Sequence, residues 1–399
     1  FMLGFEHVLN PSVEHVLTRA GQMSTPFADL FQERDVAGPR SSVMLPVVQA
    51  SVPAQGSSIF DVAREAGVSR ATAARALGGY GSVSEEARRR VEAAAEKLGY
   101  SVNSVARSMV TGQTMTLGAL IADVSNPFFA RVIRGFTDGA RSAGYDVVLV
   151  NTDETVDSEI HGLKVLTEKR VDGILVAPAS EEASEHLASA VDHGQALVQV
   201  DRFVPGLDTD VVVVNNYESG YQAVKRVIEI GHTRIAAPLQ RTRGHDGHAN
   251  LISSMLERHQ GYRDAMAEAG LPVPSAYTPP AHGRSEVRMA VAGMLNSADR
   301  PTAVFGLDDS FTLGIIDAVY GCDLVVPDQV SIFGFDDTEW TTVVRPPLSV
   351  IAQPAYDLGT CAAQALLHRI HAPDAPRQTH VLPTTWIERG SIRDLTRTG

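Results

Sequence analysis

Two sets of side chains in this 399-residue chain are of types and spacings that could do chemistry. The first is basic: Ser69, Arg70, Ala71, Thr72 and Arg75 stand at the start and along the first turns of a helical run. A guanidinium presents a planar fork of donors that suits paired acceptors such as O6 and N7 of guanine. Ala71 can make only an apolar contact, for instance with a thymine methyl. Ser58, Ser69 and Ser84 each precede a helical run, where a hydroxyl and the amides it caps suit phosphate oxygens. The second set is polar and acidic: Asp123-Val124-Ser125-Asn126, Asp201-Arg202, Asn215-Asn216, Asp308-Asp309 and Asp336-Asp337, each just past a short apolar run. Any one of these is more often a cap or turn, but five in register point to a shared cleft at the carboxyl ends of strands, where open α/β sheets bind ligands.

Neither set makes an enzyme. There is no Walker A sequence, no G-x-G-x-x-G after the first apolar run, and no nucleophile placed beside a base. Cys322 and Cys361 lack metal-ligand spacing, and His245, Asp246 and His248 read as a surface loop rather than a zinc site. The chain is therefore expected to carry no catalytic residues, no metal and no cofactor.

The basic set needs a helix to hold it, and the sequence supplies three. Ser58 is an N-cap with Asp61 three residues on, followed by Ile59, Val62 and Ala66 at helical spacing. Gly67 breaks this helix, Ser69 caps a second that Gly78-Gly79 ends, and Ser84 with Glu85 and Glu86 begins a third through Val91, Ala94, Ala95 and Leu98. Helix, glycine turn and helix form the helix-turn-helix unit. The acidic set needs strands. Apolar runs at 117–122, 147–150, 173–177, 196–200, 211–214, 234–237, 303–307 and 331–335 alternate with helical stretches such as 128–143 and 217–231. This alternation predicts parallel sheets covered by helices on both faces, and a length beyond one sheet predicts two lobes.

Charge follows the same division. The chain carries a net −13, yet residues 57–113 hold eight Lys/Arg against six Asp/Glu. A small basic module on an acidic body suits a nucleic-acid reader whose remaining mass is held off the phosphates. Two cysteines in 399 residues suit a reducing compartment, no run is long and apolar enough to span a membrane, and the first residues lack the pattern of a secretory signal. A cytoplasmic location is the expectation. Residues 1–56, rich in Pro, Gly and Ser near their end, read as a flexible extension without assigned function.

The run IFDVAREAGVSRATAARALGGYGSVSEEARRRVEAAAEKLGY, followed by VNSVARSMVTGQT and LGALIADVSNPFF, resembles the lactose repressor (LacI) family of bacterial transcription regulators, from Ser58 to about residue 391. The resemblance implies an α/β fold: a three-helix helix-turn-helix headpiece at 57–101, a hinge helix within 102–114, and a two-lobed periplasmic-binding-protein-like sensor at 115–391. Lobe 1 would take about 115–213 and 353–382, lobe 2 about 214–352 and 383–391, leaving a tail at 392–399. It implies a homodimer on double-stranded operator DNA, read by Ser58, Ser69, Arg70, Ala71, Thr72, Arg75 and Ser84, with Asn103, Ala106 and Met109 in the hinge. Met109 would be an apolar wedge in the minor groove. It implies a small effector held by Asn126, Phe128, Asp201, Arg258, Asp308, Asp336 and Gln353. Arg284 falls where several relatives place a sugar-stacking aromatic. That substitution leaves two alternatives: an anionic sugar derivative bound by Arg284, or a neutral sugar stacked on Phe128 or Trp340 while Arg284 faces solvent.

Overall fold

The computed structural model describes residues 57–78, 81–100, 108, 112–240, 242–243, 249–250 and 252–397. Residues 1–56, the hinge positions Asn103, Ala106 and Met109, and the loop residues His245, Asp246 and His248 lie outside the described residues.

The first helices are α1 (Ile59–Ala66), α2 (Arg70–Gly78) and α3 (Glu85–Lys97). Ser58 and Asp61 close a reciprocal capping box, and Gly67 ends α1 in the left-handed region at φ 63°. Ser69 Oγ accepts from the Thr72 amide at 3.1 Å and Ser84 Oγ from the Ala87 amide at 3.3 Å, so all three predicted caps form. Alanines dominate the shared core: Ala63, Ala66, Ala73, Ala76, Ala94 and Ala95 close around Val62 and Val91. Small side chains let the helices pack closely and turn the rest of α2 outward.

The larger body is built on two sheets. The first holds β1 (Thr116–Ile121), β2 (Asp146–Asn151), β3 (Gly173–Val176), β4 (Leu197–Val200) and β5 (Asp210–Val214), with β14 (Thr379–Leu382) added at its edge. Its order is β14-β5-β4-β3-β1-β2, parallel throughout. The second runs β15-β13-β12-β11-β6, from β6 (Ile235–Ala236), β11 (Ala303–Gly306), β12 (Ser331–Phe335), β13 (Ser349–Ala352) and β15 (Thr385–Ile387). Expectation and structure differ here: β13, β14 and β15 were not legible as apolar runs, and β15 pairs antiparallel with β13. Two short pairs complete the strands. They are β7 (Leu239–Gln240) with β10 (Pro280–Ala281), and β8 (Thr242–Arg243) with β9 (Ala249–Asn250).

Helices α4 (Pro127–Ser142), α5 (Val156–Glu168) and α6 (Glu185–Asp192) follow strands of the first sheet. Helices α7 (Asn216–Glu229), α8 (Ser253–Glu268), α9 (Gly283–Leu295), α10 (Asp309–Gly321) and the short α11 (Glu339–Val343) belong to the second. The chain crosses between lobes three times: after β5, after β13 into α12 (Ala355–His371), and between β14 and β15. Helix α12 returns to the first lobe, where Ala355, Leu358, Ala362 and Leu366 join the core around Leu117, Phe129 and Phe136. The crossings are laced together: the Asn215 side chain accepts from the Thr384 amide at 2.9 Å, and the Ser219 and Thr384 hydroxyls meet at 2.6 Å.

Where the chain enters lobe 1 ahead of β1, one carboxylate fixes it. Asp172 accepts from the Thr114 amide at 2.7 Å, the Thr114 hydroxyl at 2.9 Å and the Met115 amide at 2.9 Å.

Helices α4 and α12 approach so closely that only glycine fits. A methyl on Gly359 would lie 1.9 Å from Val132 O, and one on Gly135 would lie 2.0 Å from Tyr356 O. Helix propensity alone favours alanine over glycine by about 0.5–1 kcal/mol, but overpacking costs about 1–3 kcal/mol and should win. Gly359→Ala is expected to lower the denaturant midpoint, whereas Gly293→Ala, with nothing within 4 Å, should raise it. Equal shifts for the two would refute the close approach.

Candidate functional site

Between the lobes, the strand ends converge on a small inner chamber of about 30 Å³, lined in part by Asn126, Phe128, Asp201, Arg202, Arg258 and Asp336. Arg258 on α8 is 1% exposed and dominates it. Its Nε donates to Asn216 Oδ1 at 2.8 Å, one terminal nitrogen to Leu307 O at 2.8 Å and the other to Gln353 Oε1 at 3.0 Å. Its guanidinium lies 3.9 Å over the Phe335 ring, a desolvated cation–π contact. Gln353 in turn donates to Asp336 Oδ1 at 2.8 Å. Because Gln353 follows β13 at an interlobe crossing, this chain of bonds links the chamber to the connection between lobes.

Lobe 1 supplies a second buried guanidinium. Arg202 is 2% exposed, pairs with Glu154 at 3.2 Å and lies 3.7 Å from Asp201 Oδ2, with Phe129 beneath it. Its Nε and one terminal nitrogen have no hydrogen-bond partner. A buried donor left unsatisfied costs about 1–3 kcal/mol, so an unmade bond facing a chamber is a signal for a bound group. Asp201 and Asp336 hold left-handed backbone at φ 68° and 75°, a strained conformation for carboxylates turned inward from strand ends.

A wider outer chamber, about 430 Å³, shares Asn126, Glu154 and Asp308 with the inner one and adds Asp123, Ser125, Asp153, His282, Gly283 and Ser310. Burial sets the electrostatics of the cleft. Desolvation pushes Asp308 up to about 7 and Asp336 up to about 6, the latter against the opposing pull of Arg258. Asp201 is raised by the same cause, with Arg202 and Arg258 opposing. Asp308 and Asp336 are thereby able to accept from or donate to a ligand hydroxyl. Among the described residues no group of three or more His, Cys, Asp or Glu could hold a metal ion.

Asn126, Phe128, Asp201, Arg258, Asp308, Asp336 and Gln353 thus meet in one chamber. Arg284 does not. It sits at the surface on the first turn of α9, half exposed, with its guanidinium on Asp317 at 2.7 Å. Its guanidinium is engaged with Asp317, and Arg284 is not among the described residues that line either chamber. Trp340 is not among the chamber's lining residues, and its indole N–H donates to Asp309 at 2.8 Å. The five polar strand ends also divide, since Asp337 pairs with Arg389, and Asn215 holds the crossing. Glu154 was missed. It follows β2 in the same way as the other acidic pairs follow their strands, and that rule applied to Asp153-Glu154 would have found it.

On the helical unit, Arg70 and Ala71 are exposed at the start of α2. The Arg70 guanidinium lies 4.5 Å over the ring of Phe60, itself 60% exposed. Arg75 Nε donates to Ala71 O at 3.2 Å. The Ser58, Ser69 and Ser84 hydroxyls are engaged in capping, so any phosphate contact there would come chiefly through the amides of each first turn. Arg89 and Arg90 are exposed on α3.

Residues 58–103 match the bacterial regulatory proteins of the lacI family, and residues 224–392 match the periplasmic binding protein-like domain. The chain is 34% identical to the ribose operon repressor of Escherichia coli (strain K12) over 341 residues, covering 84% of this chain and 99% of that one. The solved complex of the transcriptional regulator CelR with cellobiose is 26% identical, with a TM-score of 0.62 over 84% of this chain and 99% of that one. The lac repressor dimer bound to operator and anti-inducer shares the fold at a TM-score of 0.71 and 22% identity, over 84% and 99% of the two chains.

The buried carboxyls carry a pH signature. A folded-state value raised above the unfolded one gives stability that is present at low pH and lost as pH rises through the folded value. For Asp308 that window runs from the ordinary value of 3.8 to about 7. Its side chain also caps α10 by accepting from the Phe311 amide at 2.6 Å, a role asparagine fills equally well. Asp308→Asn should therefore gain melting temperature relative to the parent as pH is taken from 5 to about 8. A pH-independent difference would show that Asp308 is not raised.

Proposed function

This chain belongs to the lacI family of bacterial regulatory proteins and is a DNA-binding transcriptional regulator, and we propose that it is a repressor whose operator affinity is set by a small neutral effector held between its lobes. The observation that carries the effector site is Arg258: a buried guanidinium joined through Gln353 to Asp336 and to an interlobe crossing. A ligand that bonds to this group acts on the connection between lobes.

The effector is a sugar or similar polyol. Raised carboxyls at Asp201, Asp308 and Asp336, two guanidinium groups and the Phe128 ring offer the mixed donors, acceptors and apolar face that a sugar ring needs. The inner chamber is narrow, about 30 Å³, and widens when the lobes part. Parting them breaks the bonds from Arg131 to Asp337 O at 2.9 Å and from the Phe203 amide to Ser253 Oγ at 3.0 Å. Effector binding then selects among lobe arrangements by differential affinity.

In this reading the headpiece spans 57–101, the hinge 102–114 and the sensor 115–391, with lobe 1 formed by 115–213 and 353–382. The protein works as a homodimer, with Arg70, Ala71, Thr72 and Arg75 at base edges and Arg90 at the phosphates. Its place is the cytoplasm, where operator DNA lies and where the free thiols of Cys322 and Cys361 stay reduced. No reaction is assigned to it.

Arg258→Ala is expected to weaken the effector response of operator binding by about 1.5–3 kcal/mol, roughly tenfold to a hundredfold. A full response in this variant would remove the cleft as the effector site. On the DNA side, Arg75→Ala should cost about 1–3 kcal/mol on the preferred operator and relax selection at one base pair. Arg90→Ala should weaken all sequences alike and flatten the salt dependence. Equal losses on operator and random DNA for both variants would refute the division into base reader and phosphate contact.

A further inference from the structure

Resting on Arg70 as a base reader, we infer that Phe60 is a positioning residue for DNA selection: its ring holds the Arg70 guanidinium in place at the start of α2 before DNA is met. The two residues come from different helices. Phe60 stands in the first turn of α1 and Arg70 opens α2, with the left-handed turn at Gly67 between them. The capping box of Ser58 and Asp61 fixes the turn that carries Phe60. The Ser69 cap, accepting from the Thr72 amide at 3.1 Å, fixes the turn that carries Arg70. Local backbone bonds thus set both anchors, and the guanidinium carbon lies 4.5 Å from the centre of the ring. Phe60 does little to hold the helices together: it is 60% exposed, and the core closed by α1–α3 takes its neighbours Ile59 and Val62.

The kind of partner matters. Other cations of the same unit are held by carboxylates: Arg64 by Asp61 at 2.7 Å and Lys97 by Glu65 at 2.5 Å. A carboxylate holds a guanidinium by occupying its donors and cancelling its charge, both of which a base reader needs. An aromatic face attracts the same group through its quadrupole and leaves the charge uncancelled. An arginine side chain that is free in solution must also give up rotamers when it docks on a base edge. One already stacked on a ring has given up part of that freedom, so less is lost on binding. Phe60 thereby acts on sequence selection through Arg70, without itself reading a base.

The role is tested on the full-length protein by competition binding between the preferred operator and its single-base-pair variants, at one salt concentration. Arg70→Ala identifies the base pair that Arg70 reads. Phe60→Leu, which keeps apolar bulk but removes the flat ring, should relax selection at that same pair by about twofold to fivefold and leave affinity for random DNA unchanged. Phe60→Tyr keeps the ring and should keep the selection. In the Arg70→Ala background, Phe60→Leu should have no further effect. The inference is overturned if Phe60→Leu weakens all sequences alike, relaxes a pair that Arg70 does not read, or adds its effect to that of Arg70→Ala. The stack itself is read without DNA, by nuclear magnetic resonance of arginine-labelled protein. The ring current of Phe60 should hold the Arg70 side-chain protons upfield, and Phe60→Leu should release them. Unmoved resonances overturn the stack. Moved resonances, with no base pair lost in Arg70→Ala, remove Arg70 as a base reader and the positioning role with it, so the two failures are told apart.

Discussion

Burying Arg258 constrains the rest of the sensor. A guanidinium removed from water must have its hydrogen bonds met and its charge balanced, or the fold loses several kcal/mol. The solution draws on every neighbouring element: Asn216 at the start of α7, the carbonyl after β11, the Phe335 ring at the end of β12, and Gln353 after β13. Each partner stands at the carboxyl end of a strand or the first turn after one, so the second sheet must present its strand ends in register for the charge to be tolerated. The stacked rings of Phe305 and Phe333, 4.6 Å apart, hold β11 and β12 at the spacing this requires.

The same burial sets the carboxyls. With two guanidinium groups facing Asp201, Asp308, Asp336 and Glu154, charge in the chamber is not balanced one to one, and desolvation raises Asp201, Asp308 and Asp336 instead. The result is a site rich in groups able to exchange hydrogen-bond roles. Protonation of these groups, lobe contact and ligand contact are linked, because each changes the cost of keeping charge away from water.

How much of this was legible follows from what each residue type reports. Strands β1, β3, β4, β11 and β12 are buried on both faces and read as continuous apolar runs. Edge strand β14 alternates exposed and half-buried residues over four positions, too short to separate from a loop. The headpiece was the clearest part, since serine caps and glycine stops mark each helix end. In the cleft, the strand-end rule located Asp201, Asp308 and Asp336 but could not separate them from Asp309 and Asp337, whose partners Trp340 and Arg389 lie elsewhere in sequence. Arg284 was read by matching position within a family resemblance, which carries no information on where a side chain turns; here its guanidinium turns to Asp317.

The triple crossing of the chain has a consequence for how the protein comes off the ribosome. Helices α1–α3 close a core entirely within residues 57–100, so they can fold as soon as they emerge. Lobe 1 cannot. Its first five strands are made early, but α12, which supplies Ala355, Leu358, Ala362 and Leu366 to that core, and β14, which covers the β5 edge, arrive only with residues 355–382. Until then the nascent chain carries a finished DNA-reading unit beside an unfinished sensor. A chain broken off within the second lobe would retain the unit that binds and lack the part that answers to an effector. Interleaving the lobes thus makes regulation the last property acquired in synthesis and the first lost to a truncating frameshift.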